Sequence, residues 1–87
     1  MSSLEFDDVK VGQLRQLIGG RRLFLEKNMP FDRHGAWRYA KHDEFFIILF
    51  EHQTFNETSW FTIFTYDGIR YAKKSDVCAS SSLVERW

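Results

Sequence analysis

The sequence has one cysteine, one proline, no long apolar run and no excess of charge of either sign. A lone thiol, Cys78, excludes an internal disulfide, and no CxxC or Cys/His spacing points to structural zinc. The apolar runs at 45–50 and 60–66 fall far short of the roughly 20 residues of a membrane-spanning helix. The opening MSSLEFDDVKVG carries three acids before its first lysine and no apolar h-region, so it does not read as a signal peptide. Without secretion the Asn56-Glu57-Thr58 sequon is a coincidence, and the expectation is a soluble, cytoplasmic protein with a reduced thiol.

Reaction chemistry is equally sparse. Gly19-Gly20-Arg21-Arg22 lacks both the spacing and the following helix of a phosphate-binding loop. The serines at 75 and 80–82 have no G-x-S-x-G frame. His42-Asp43-Glu44 and Glu51-His52 bracket one strand, and at ~3.3 Å per residue they stand too far apart to share a metal. His34 falls in a polar loop. Cys78 follows Lys73 and Lys74, but with no histidine nearby in sequence it reads as a structural or incidental thiol. The sequence therefore predicts no catalytic residue, no metal site and no cofactor.

What is present is aromatic. Nine Phe, three Trp and three Tyr in 87 residues are more than one small core can easily hide, and a surface for self-association or for a partner follows as an expectation. Charge is balanced overall but uneven. From Lys10 to Lys41 there are eight basic residues against Glu26 and Asp32, and the remainder has four against ten acids. If that segregation survives folding, one face is basic and another acidic.

The chain length fits one domain over 1–87, with 1–8 a polar, flexible lead. The segment 9–18 is ambiguous. Val11, Leu14, Leu17 and Ile18 suit a helix face, whereas Gly12 disfavours one and an extended run into Gly19-Gly20 is equally compatible. Residues 21–27 read as a strand with Leu23 and Leu25 on one face and Phe24 on the other. Residues 28–35 read as a loop and 36–42 as a strand with Trp37 and Tyr39 sharing a face. His42-Asp43 turns into the run 45–50, and 53–59 is a polar hairpin connection. The parities Phe45, Ile47, Leu49 and Phe46, Ile48, Phe50 are both apolar, so both faces of that strand call for burial, by an N-terminal helix and the C-terminal tail or by another chain. Asp67-Gly68 predicts a type I′ hairpin turn into a strand at 69–73. Residues 75–77 read as a brief turn, 80–82 as a spacer, and 83–87 as an edge strand or docking tail.

The expected fold is mainly β (β or α+β): a small antiparallel sheet or barrel of five to six strands, with at most one short N-terminal helix. In their order, "VKVGQLRQL", "DEFFIILFE", "SWFTIFTYDGIRYAKKSDV" and "LVERW" resemble an SH3-like small barrel, in which a meander ends in a tight hairpin, a single-turn helix and a closing strand. The ALYDY-like stretch and the terminal Pro-Asn-Tyr of peptide-binding SH3 domains are missing, so proline-rich peptide recognition does not carry over. Fold resemblance of this kind leaves function open.

Two binding readings compete. In the first, a non-enzymatic protein docks on another protein or on itself, with Trp37, Arg38, Tyr39 and Trp60 as the contact residues and Trp37 or Trp60 at the centre of an aromatic patch. Such a chain resembles in type the small accessory, adaptor or inhibitor proteins of phages and mobile elements. In the second, Arg33, Trp37, Arg38, Tyr39 and Lys41 form a nucleic-acid platform, with cations along the phosphates and rings under the bases. The plain alternative to both packs Trp37 and Tyr39 inward and leaves the charges solvated.

Overall fold

Residues 14–17 are a strand, and Gly12 is the reason they are not a helix. Gly12 adopts φ +94° and donates its N–H to the Ile48 carbonyl at 2.7 Å, so the chain turns there and then pairs with its neighbour. A computed structural model of the chain describes residues 9–28, 36–53 and 57–85. The predicted lead 1–8, positions 29–35 of the predicted loop (with Arg33 and His34), positions 54–56 of the predicted hairpin connection and positions 86–87 of the predicted tail lie outside the described residues.

The elements are β1 (Leu14–Leu17), β2 (Phe24–Glu26), β3 (Trp37–Tyr39), β4 (Phe45–Gln53), β5 (Ser59–Thr65), β6 (Gly68–Lys73), α1 (Lys74–Ser80) and β7 (Ser81–Leu83). All seven strands join one antiparallel sheet in the order β3-β2-β6-β5-β4-β1-β7. The fold is mainly β, a curled half-barrel with slightly more strands than the sequence predicted. Among the described residues the one helix lies near the C-terminus. It runs seven residues where 75–77 predicted a brief turn.

The sheet has an inner and an outer face. Leu17, Leu23, Leu25, Phe46, Ile48, Phe61, Ile63 and Ala72 point inward and form one buried cluster with Val9 and with Val77 of α1. The strict alternation Leu23-Phe24-Leu25 and Phe61-Thr62-Ile63 sets this face, because a strand's side chains alternate with period two. The helix therefore covers the inner side, where it contacts β5, β6 and β7.

Several local expectations need correction. Of the two readings left open for 9–18, the extended one holds at Leu14–Leu17 and the helix does not: Val11 and Ile18 are exposed, Leu17 alone of that apolar set is buried, and no helical lid results. Asp67 is not among the residues with positive φ, so the hairpin is not type I′. Tyr66 and Asp67 make a two-residue turn, and Gly68, at φ +109°, pairs with Thr65 directly after it. The serine "spacer" is structural. Ser80 and Ser81 are buried, and Ser81 accepts from the fully buried Arg15 through its hydroxyl (2.8 Å) and its carbonyl (3.0 Å), pinning β7 to β1.

In β4 a bulge changes the parity. Ile48 pairs with Ile63 but Phe50 pairs with Thr62, so Leu49 is the additional residue. Phe46 and Ile48 are buried as one face, while Phe50 is turned to the opposite side and is 61% exposed. The three residues that sequence parity groups together are thus split by one inserted position.

Candidate functional site

The outer face begins at edge strand β3. Register pairs Phe24 with Tyr39 and Glu26 with Trp37, and because Leu23 and Leu25 point inward, these four residues point outward. Trp37 and Tyr39 are 54% and 46% exposed. Their rings meet edge to face at 5.4 Å between centroids, and Phe24 lies 4.7 Å from Trp37 and 6.1 Å from Tyr39. The three rings hold one another in place, so the surface is ordered before anything binds. The Arg22 guanidinium stands 5.5 Å from the centre of the Tyr39 ring.

Among the described residues no strand pairs with the outer edge of β3. Ala36 accepts from the Lys27 N–H and Ala40 donates to the Leu23 carbonyl, so by alternation the backbone groups of Trp37 and Tyr39 face away from β2. The Tyr39 carbonyl accepts from Nη1 of Arg38 at 3.0 Å, which blunts part of that edge.

Arg38 sits opposite Leu25 and points inward. Its guanidinium donates to both Glu44 oxygens (2.8 and 2.7 Å) and to both Asp67 oxygens (3.0 and 3.1 Å). Hydrogen bonding to Glu44 raises the Arg38 pKa further, against the cost of burial. Asp67 receives Arg38, Arg70 and the Thr65 hydroxyl, and these donors hold its carboxyl far below the usual carboxylate range. Arg38 is thus spent on holding the half-barrel together.

The remaining sequence-predicted residues disperse. Trp60 is 5% exposed and lies outside the core cluster, on the outer side between His52 and Lys73 in register. The Lys73 ammonium stands 5.8 Å from the centre of its ring. This burial removes Trp60 from any exposed patch. Lys41 is exposed, with its ammonium 4.7 Å from the centre of the Tyr66 ring, and hydrogen bonding to Tyr66 raises its pKa. Arg33 lies outside the described residues. Phe24 and Arg22 were not singled out from the sequence, although the alternation at 23–25 already set Phe24 opposite the leucines.

A half-open groove of about 360 Å³ adjoins the cluster, lined by Phe24, Glu26, Trp60, Lys73 and Asp76. Burial raises the Glu26 pKa, partly offset by Lys73. Such a recess beside exposed rings can seat a partner's side chain. Among the described residues no three His, Cys, Asp or Glu side chains group as a metal site. His42 pairs with Asp43 in solvent, His52 bonds Thr62, and Cys78 is exposed on α1. None of the described helices is long and apolar enough to cross a membrane.

No family model, curated protein or solved structure matches this chain. The functional reading therefore rests on the geometry of the outer face.

Proposed function

We propose that this is a non-enzymatic binding protein that docks on a partner protein through Phe24, Trp37 and Tyr39, as accessory, adaptor or inhibitor proteins do. The observation that carries the reading is the cluster itself: two half-exposed aromatic rings on an edge strand, braced by a third and bordered by a groove. Tryptophan, tyrosine and arginine dominate the energetics of protein interfaces, and preordered rings lose little entropy on binding. In this reading Arg38 positions β3 and does not touch the partner. The curled sheet is compatible with a small barrel fold, which serves in this reading as a scaffold for the cluster. A cytoplasmic location suits its single thiol.

A second reading, nucleic-acid binding, is favoured by Arg22 over Tyr39, an arrangement that can continue onto a stacked base. It is weakened by the carboxylates that neutralise Arg38 and by a formal charge of zero. A photoactivatable aromatic residue placed at Tyr39, with Ala79 on α1 as control, separates the readings in the native host. A nuclease-resistant protein adduct from position 39 and not from 79 supports protein docking. A nuclease-sensitive adduct supports the second reading, and equal labelling from both positions removes the cluster from either.

A further inference from the structure

Away from β2 and β3, the outer face carries a second apolar surface on different strands. Register places Leu14, Ile47, Phe64 and Ile69 side by side across β1, β4, β5 and β6. Phe45 and the bulge-inverted Phe50 flank Ile47 on β4. Phe45, Phe50 and Phe64 are each at least half exposed, and Ile69 is 43% exposed. None of the described elements packs over this row, since α1 lies on the inner side. A bare apolar row across the middle of a sheet is uncommon in monomers.

We propose that this row is the two-fold interface of a homodimer, in which the outer faces of two copies pack sheet against sheet. The area fits. Three aromatic side chains about half exposed, with Ile69 and the partly exposed Leu14 and Ile47, offer on the order of 400 Å² of apolar surface. A standard interface takes about 800 Å² from each partner, of which a little over half is apolar. The supply on this row therefore matches what one side of a stable dimer uses.

Charge points to a second copy over a foreign partner. The outward positions on these four strands are Leu14, Gln16, Phe45, Ile47, Phe50, His52, Trp60, Thr62, Phe64, Ile69, Tyr71 and Lys73, and Lys73 is the one fixed charge among them. With Lys73 as its one fixed charge, the row offers a charged partner little to pair with, whereas two copies meet on it without repulsion. The whole chain has a formal charge of zero, so two copies do not repel at longer range either. An isologous contact needs only that the patch complement itself, and a two-fold axis between β4 and β5 sets Phe64 of each copy against Ile47 of the other. Sheets packed in this way stand about 10 Å apart, the depth that interleaved phenylalanines fill. The cluster on β2 and β3 stays outside this row, so dimerisation and docking are separable.

Analytical ultracentrifugation of the full chain from about 1 to 300 µM tests the proposal by mass action. The expected result is a concentration-dependent doubling of mass for the wild type. Phe64→Glu should remain monomeric with an unchanged circular dichroism spectrum, and Trp37→Ala should dimerise as the wild type does. If Phe64→Glu fails to fold, Phe45→Lys at the margin of the row serves in its place. A wild type that stays monomeric throughout overturns the proposal, as does a folded Phe64→Glu that still doubles its mass. A Phe64-dependent complex with a different protein and no self-association overturns the choice of a second copy. None of these outcomes bears on the adduct from position 39, so the docking reading stands or falls separately.

Discussion

Arg38 on β3 and Glu44 at the head of β4 form a two-pronged ion pair although β2, β6 and β5 lie between their strands in the sheet. Only a sheet curled back on itself brings them together. The short connection from β3 to β4 spans the opening, and Glu44 also accepts the Lys41 N–H, fixing the turn where Asp43 adopts φ +57°. The same alternation that sends Arg38 inward sends Trp37 and Tyr39 outward. The contact that closes the half-barrel therefore also presents the aromatic cluster.

Arg38→Ala should accordingly destabilise the fold by about 3 kcal/mol, since it leaves Glu44, with its side chain 4% exposed, without its cation. Urea unfolding measures this. A midpoint equal to that of the wild type would remove the closure role from Arg38.

The acid limb of stability should depend on Asp67. Its folded pKa is lowered by Arg38, Arg70 and Thr65, so its contribution is full above the unfolded value of about 4 and is lost as pH falls below it. The stability difference between wild type and Asp67→Asn should be constant above about pH 5 and shrink below about pH 4. Chemical denaturation at a series of pH values reads this directly. A difference that grows on acidification would contradict the assignment.

Gly68, at φ +109°, should not tolerate a side chain, although its surroundings are open. Gly68→Val is expected to cost more than ~1 kcal/mol through backbone strain alone. Gly19→Ala, at a position with neither crowding nor positive φ, should change stability by about 0.5 kcal/mol or less. Comparable midpoints for the two variants would mean that the β5–β6 turn does not need its glycine.

The strands around the aromatic runs were legible because alternation is a local signal. Leu23-Phe24-Leu25 and the pairing of Trp37 with Tyr39 emerged as the sequence implied. What was hidden depends on partners far along the chain. The extra residue Leu49 is visible only against β5, and it moves Phe50 from one face to the other. β7 is only Ser81-Ser82-Leu83, without an alternating apolar pattern, and pairs with β1 where Ser81 also accepts from Arg15. Trp60 looks like a surface anchor by composition, yet its register between His52 and Lys73 buries it. Trp37 and Arg38 take opposite faces because neighbours on a strand alternate, but it is Leu25, paired with Arg38, that makes the Arg38 side inward, and no window around 36–42 contains that information.

The measurement that bears most directly on the docking claim is the affinity of Trp37→Ala for the protein captured from position 39. The account predicts a loss of about 2 kcal/mol, roughly thirtyfold in Kd, with an unchanged urea midpoint, because Trp37 is exposed and carries no part of the inner core. A folded Trp37→Ala protein that binds this partner as tightly as the wild type would contradict it.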